Sequence, residues 1–307
     1  MRCKMCGKKA LIRLRAYNLN LCDKCLQEFI VRRVKRTINK FKLLKENDKV
    51  LVAVSGGKDS LSLWDILNKL GIKTKGFYIN LGINGYSDRS EEKALKFAAE
   101  RGLELHIERV KDHFEGLGIP ELSKMDKRPP CSLCGMIKRY LMNKVAYEGG
   151  WVLATGHNLD DEAATLLGNV LDWKEGYLSR QEPKLEGREG FAPRIKPLVL
   201  CSEREMAAYA ISSGIDYILE ECPFSQGATS IFYKGLLNQL EEQSPGSKLR
   251  FYLNFLKIKD VFKKDTPQLS PCVQCGYLTT GNLCNFCRLK SKIKRGAMPP
   301  CNFLTSI

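Results

Sequence analysis

The chain has 307 residues, 44% of them hydrophobic, enough to bury a sizeable core in one main domain with attachments or in two domains; disorder throughout is excluded. Fifty Lys and Arg against 34 Asp and Glu leave a formal charge of +16. That field attracts a polyanion, with nucleic acid the natural candidate, although a lysine-rich composition also serves plain solubility. No apolar stretch approaches the ~20 residues that span a bilayer, and Met1-Arg2-Cys3-Lys4 does not read as a signal peptide, so a soluble cytoplasmic protein with no membrane partner is expected. Thirteen cysteines in a reducing compartment favour metal ligation over disulfides.

The cysteine pattern divides the chain into an N-terminal module (1–30), a basic linker helix (31–48), a large α/β region (49–264) and a C-terminal module with a basic tail (265–307). Val31, Val34, Ile38, Phe41 and Leu44 recur at helical spacing, which predicts a connecting helix over 31–45 whose cationic face either touches RNA or is merely solvated. From Val50 short apolar runs alternate with helical patterns. Strands are expected at 50–54, 76–81, 104–110, 151–155, 197–200 and 217–220, and helices at 59–70, 89–101, 134–147, 159–171 and 203–213. A polar loop fills 173–193. Such alternation predicts a doubly wound parallel sheet that binds ligands at the carboxyl ends of its strands.

Ser55-Gly56-Gly57-Lys58-Asp59-Ser60 falls between the first strand and the first helix of that region, where backbone N–H groups and the helix dipole converge on an anion. The glycines let backbone approach phosphate oxygens, Lys58 adds a point charge, and Ser55 and Ser60 offer hydroxyls. Asp59 is a poor phosphate ligand; its use is to hold Mg²⁺ against the phosphates. The longer Gly-x-x-x-x-Gly-Lys-Ser/Thr spacing is absent, which disfavours a P-loop GTPase or kinase. The hexapeptide resembles instead the loop of the N-type ATP pyrophosphatases, which cleave ATP between its α and β phosphates. That resemblance implies that backbone of the second strand, around Phe77, Ile79 and Asn80, reads the adenine.

Cys131-x-x-Cys134 follows Pro129-Pro130, and Cys222 ends the expected strand at 217–220. Three thiolates with one open position suit a [4Fe–4S] cluster, but the spacing equally admits a structural zinc completed by Cys201, or a thiol pair forming a disulfide and a persulfide. Downstream, Thr155-Gly156-His157-Asn158-Leu159-Asp160-Asp161-Glu162-Ala163 follows a strand and opens a helix, so Gly156, His157 and Asp161 are expected at the nucleotide edge, with His157 structural rather than a general base.

Cys3-x-x-Cys6 with Cys22-x-x-Cys25, and Cys272-x-x-Cys275 with Cys284-x-x-Cys287, are two complete Cys₄ sets. Each suits a tetrahedral Zn²⁺ whose binding supplies the folding energy that so small a module lacks, with a rubredoxin-like iron as the minor alternative. Basic residues flank both: Lys8, Lys9, Arg13 and Arg15, then Arg288, Lys290, Lys292, Lys294 and Arg295. They would grip an RNA through phosphates and shape, unless the modules are only structural or form a dimer contact. Cys201 and Cys301 are left without a role.

The phosphate loop, Cys131-x-x-Cys134 with Gly135 and Lys138, the Gly156–Ala163 run, Arg194-Ile195-Lys196-Pro197-Leu198, Cys222 and the two terminal modules together resemble the tRNA 2-thiouridine synthetase family over almost the whole chain. The resemblance implies an oxygen-sensitive [4Fe–4S] cluster on Cys131, Cys134 and Cys222, and active-site roles for Lys138, which would counter charge on the phosphates or the adenylated oxygen, and for Asp161, which would orient the base or assist Mg²⁺. A helix-surface lysine and a helix N-terminal carboxylate are the plain alternatives for those two residues. The expected reaction is adenylation of a uridine C2 oxygen by Mg²⁺-ATP followed by sulfur insertion, at the wobble uridine in preference to the thymine-loop one. The partners expected are tRNA, a sulfur donor (sulfide, persulfide or a ubiquitin-like thiocarboxylate carrier) and a second copy of the chain. A zinc-ribbon RNA-binding protein with a degenerate nucleotide domain is the non-enzymatic alternative.

Overall fold

A computed structural model describes residues 1–225, 227, 229–262 and 268–297, the last three of these as backbone only. In chain order, β1 (Ile12–Leu14) and β2 (Leu19–Leu21) form a hairpin followed by α1 (Asp23–Lys40). The α/β body runs β3 (Val50–Val54), α2 (Lys58–Lys69), β4 (Thr74–Asn80), α3 (Tyr86–Glu100), β5 (Leu105–Arg109), α4 (Val110–His113), α5 (Ile119–Asp126), α6 (Pro130–Glu148), β6 (Val152–Thr155) and α7 (Leu159–Leu171). It continues through α8 (Glu175–Leu178), β7 (Lys184–Leu185), β8 (Arg194–Ile195), α9 (Glu203–Ser212), α10 (Thr229–Gln243) and α11 (Ser247–Ile258). A second small hairpin, β9 (Ser270–Pro271) with β10 (Leu278–Thr279), leads into α12 (Asn285–Ala297).

The central sheet has the order β5-β4-β3-β6-β8-β7 and is parallel except for β7, which pairs antiparallel with β8. β3 is apolar and almost wholly buried because helices cover both sides of it. One layer buries Val50, Val52, Trp64, Phe97 and Tyr209 together with Leu21, Leu26 and Ile30 of the N-terminal module. The opposite layer buries Leu51, Phe77, Ile79, Leu133 and Tyr140 together with Phe286, Leu289 and Ile293 of the C-terminal one. The two modules therefore sit on opposite faces of the sheet. No helix among the described residues is long and apolar enough to cross a membrane.

Four expected segments differ. The polar loop expected at 173–193 contains α8 and β7, the latter paired with β8 at the sheet edge. The connecting helix begins at Asp23 and ends at Lys40, so Cys25 already lies within it, and Lys42 at φ 47° marks the break. The strand expected at 197–200 is a turn, because Pro197 has no N–H for a ladder, and the strand sits just before it at Arg194–Ile195. Residues 217–220 form no strand. Their β-like pattern meets no neighbouring strand; the Ile218 N–H donates instead to Gly56 O at 3.0 Å, and Leu219 is 78% exposed.

Candidate functional site

The phosphate loop is built by its own backbone. Gly56 has φ +73°, and a Cβ there would meet Ser90 O at 2.4 Å, so only glycine fits. Ser60 Oγ accepts from Ser55 N (3.0 Å) and donates to Gly57 O (3.1 Å), closing the loop over the first turn of α2. Gly57 caps α2 without a side chain, which leaves the first-turn N–H groups for an incoming anion. Gly156 reaches this loop from the far strand: a Cβ on it would stand 3.0 Å from Ser60 N and Cα. The end of β6 and the loop are thus one surface.

The acids and lysines around the loop form a network. Lys58 Nζ binds Asp59 Oδ2 (3.0 Å) and Glu203 Oε1 (2.9 Å). Asp59 also accepts from Asn158 Nδ2 (3.2 Å). Burial pushes the Asp59 carboxyl up and the Asp161 charge adds to this, outweighing the pull of Lys58. Asp161 accepts from Asn158 N (3.0 Å) as part of the capping box that starts α7, while its other oxygen binds Lys234 Nζ at 2.6 Å. Asp161 is therefore both a helix cap and a member of the charged network. His157 lies beside it at the surface, with Nδ1 2.8 Å from Thr155 Oγ1.

On β4 the side chains of Phe77 and Ile79 are spent on the core, Phe77 stacking on His106 at 5.5 Å. The β3 register ends at Val54 opposite Tyr78, so Ile79 and Asn80 run past it.

Cys131 and Cys134 occupy the first turn of α6, which Pro130 starts. Cys131 Sγ donates to Phe224 O at 3.1 Å, which draws the segment after Cys222 onto the helix. Cys134 and Cys222 both act on Tyr86, and Cys134 feels the other two thiols as well as Lys138 one turn along α6. Burial lifts the Cys134 thiol more than Lys138 lowers it. The three thiols are thus neighbours, Cys131 exposed and Cys134 and Cys222 half-buried, with Lys138 against the Cys134 sulfur. Cys201 does not join them. It is fully buried in the opposite layer, with Arg33 and Glu205 as its charged neighbours, so the zinc alternative completed by Cys201 fails. Cys301 lies outside the described residues.

In each terminal set the four sulfurs lie within 4.8 Å of one another, three cysteines buried and one exposed. Backbone N–H groups point at sulfur, Cys284 N to Cys272 Sγ at 3.3 Å and Cys287 N to Cys284 Sγ at 3.4 Å, as thiolates ligating one ion require. Among the described residues no third set closes so tightly. The looser spacing of Cys131, Cys134 and Cys222 suits thiolates that bind separate irons of a cluster rather than a single ion.

Of the expected site residues the structure brings together 55–60, Gly156, Asp161 and, through Ile218, the approach to Cys222. The charge patterns singled out neither Glu203 nor Lys234, which complete the network from α9 and α10. The apolar spacing of Tyr233, Leu237 and Leu240 was the available signal for α10.

The model of the PP-loop domain matches residues 26–226. The tRNA-5-methyluridine(54) 2-sulfurtransferase of Thermotoga maritima is 48% identical over 297 residues, covering 96% of this chain and 98% of the relative. Its Thermus thermophilus counterpart is 48% identical over 302 residues, covering 97% and 93%. Among solved structures, the U34-tRNA thiolase NcsA from Methanococcus maripaludis with its [4Fe-4S] cluster superposes with a TM-score of 0.80 at 30% identity, covering 95% and 96% of the two chains. The chain belongs to the PP-loop family of tRNA 2-thiouridine synthetases, ATP-binding sulfurtransferases.

Proposed function

We propose that this enzyme installs sulfur at C2 of 5-methyluridine 54 in the thymine loop of tRNA, at the expense of ATP. The observation that carries the chemistry is the tie between its two halves: Ile218 N–H bonded to Gly56 O joins the phosphate loop to the strand-like segment that delivers Cys222. Activation and sulfur delivery then occur on one surface. The choice of nucleotide rests on the relatives: those named for position 54 are 48% identical, against 30% for the thiolase named for position 34. On this reading the thymine-loop uridine is preferred to the wobble uridine expected above.

The loop N–H groups and Lys58 would hold the polyphosphate, and Asp59, beside Asp161, would hold a Mg²⁺ that neutralises phosphate charge. The C2 oxygen of the base attacks the α phosphate, pyrophosphate departs, and the adenylated oxygen becomes a leaving group. Attack of a sulfur nucleophile at C2 then expels AMP. Lys138, against Cys134, compensates negative charge where sulfur and substrate meet. Cys131, Cys134 and Cys222 would hold a [4Fe–4S] cluster, which supplies an open iron for sulfide or Lewis-acid assistance. The terminal tetrads would hold Zn²⁺, and the exposed Arg13, Arg15, Arg288 and Lys294 offer phosphate contacts for tRNA on either side.

Anaerobically reconstituted protein, given ATP, sulfide and tRNA bearing 5-methyluridine at 54 and uridine at 34, is expected to place sulfur at 54, read by mass mapping of nucleosides. Sulfur at 34 assigns the wobble reaction, and absence of both sulfur and AMP formation overturns the thiolation reading. Iron and labile sulfide lost on Cys222→Ala, together with activity, support the cluster; full activity without iron refutes it.

A further inference from the structure

The phosphate loop is formed, yet its lysine is already occupied. Lys58 holds Oε1 of Glu203 at 2.9 Å, and Lys234 holds Oε2 of the same carboxylate at 3.1 Å. Each lysine also has an acid of its own, Asp59 for Lys58 and Asp161 for Lys234. Glu203 is therefore the shared member, one oxygen to each ammonium, as a phosphate group bridging the two would be.

Three features make Glu203 the mobile partner. It occupies the first turn of α9, where the helix is held by the capping box of Ser202 and Glu205 and by Asp160 accepting its backbone N–H at 2.8 Å, none of which uses its carboxylate. Its side chain is 39% exposed, so release into water costs little. Asp161 cannot leave as easily, because one of its oxygens caps α7. With Glu203 in place three carboxylates face two lysines, an arrangement that repels a polyphosphate until one acid withdraws or a cation arrives.

From this geometry we infer that Lys234 is a second polyphosphate-binding lysine of the ATP site and that Glu203 is a resident counter-ion which the polyphosphate displaces. Nucleotide binding then reaches α10, which begins shortly after Cys222, so the segment carrying that cysteine is bracketed by two contacts to the ATP site, Ile218 before it and Lys234 after it. The inference rests on the reading of 55–60 as the ATP loop.

The test is anaerobic titration of the full chain with ATP and, in parallel, adenosine, which lacks the phosphates. Lys234→Met is expected to weaken ATP about tenfold and leave adenosine unchanged, Lys234→Arg to restore most of the loss, and Glu203→Gln to tighten ATP about threefold by removing the competitor. Unchanged ATP affinity in Lys234→Met, or equal loss for ATP and adenosine, overturns the role of Lys234. Weaker ATP binding by Glu203→Gln overturns the counter-ion, and this isosteric variant carries the test should Lys234→Met misfold. A wild-type chain that binds adenosine and ATP alike overturns the ATP reading of the loop itself.

Discussion

The two faces of the sheet are held by different forces. On the side of the N-terminal module, charges are buried in pairs: Arg33 binds Glu205 at 3.0 Å, and Asp65 takes Lys69 (2.8 Å), Arg101 (3.0 Å) and the Tyr209 hydroxyl (2.6 Å). On the side of the C-terminal module, aromatic contacts predominate: Phe286 stacks on Tyr140 at 4.0 Å and meets Phe114 at 5.0 Å and His113 at 5.7 Å, beside an ion pair from Lys292 to Asp126 at 2.8 Å. The first set fastens α2 to α9 and α1, and so sits under the phosphate loop. The second fastens α12 to α6, whose first turn carries Cys131 and Cys134. Each cysteine tetrad thus packs behind one half of the proposed site, the N-terminal one behind the phosphate loop and the C-terminal one behind the helix that carries Cys131 and Cys134.

The largest test of that division removes each tetrad in turn. On the proposal that the C-terminal tetrad holds a metal, Cys284→Ala would take one of its four ligands, so the module and its packing on α6 are expected to be lost. Iron retention and tRNA thiolation should then fall by more than about tenfold while ATP affinity stays within about twofold. Cys22→Ala is expected to do the reverse, loosening α1 and lowering ATP affinity with iron largely kept. Metal analysis beside nucleotide titration reads both outcomes; equal loss of iron in the two variants breaks the comparison.

Why one half was easier to read than the other follows from how far apart its parts lie in the chain. The tetrads, the phosphate loop and the β3–α2 unit are local patterns in which spacing alone dictates geometry. The position of α7 was legible as the helix that opens directly after the β6 strand, and the structure starts it with a capping box of Asn158 and Asp161. By contrast, the network at the loop joins residues 58, 161, 203 and 234, and a glutamate or lysine on a helix reads as a solvated face until the fold brings it to a partner. Ile218 was misplaced for a related reason: its β-like neighbours specify extended backbone, but a strand also needs an unoccupied sheet edge beside it, which no periodicity encodes.

The charged face carries a pH signature centred on Asp65. Burial raises the Asp65 carboxyl, but hydrogen bonds from Lys69, Tyr209 and Arg101 outweigh it and hold the carboxyl below its ordinary value. As pH falls, the unfolded chain protonates first, so the stability contributed by Asp65 is complete above the ordinary carboxylate range and is lost as pH drops through the lower folded value. Asp65→Asn is expected to cost about 2 kcal/mol at neutral pH, with the gap from wild type closing below about pH 4. Urea denaturation at several pH values measures this, and a gap independent of pH would show that the carboxylate charge contributes nothing.

The smallest effect is expected from trimming the aromatic contact without opening the module. Phe286→Leu keeps an apolar side chain in the buried site but gives up the stacked pair with Tyr140, worth about 1 kcal/mol beyond area. Because Phe286 neighbours both Cys284 and Cys287 in sequence and touches α6 in space, its loss frees the module to shift on the helix rather than to unfold. Stability should fall by about 1–2 kcal/mol with both tetrads still metallated, and the melting temperature by a few degrees. Iron should leave α6 faster on exposure to chelator than in wild type, while the same change on the other face, Tyr17→Leu under Arg33, should leave that rate untouched. Identical chelation rates in the two variants would place the stiffness of α6 in its own packing with β6 and α5, and not in the C-terminal module.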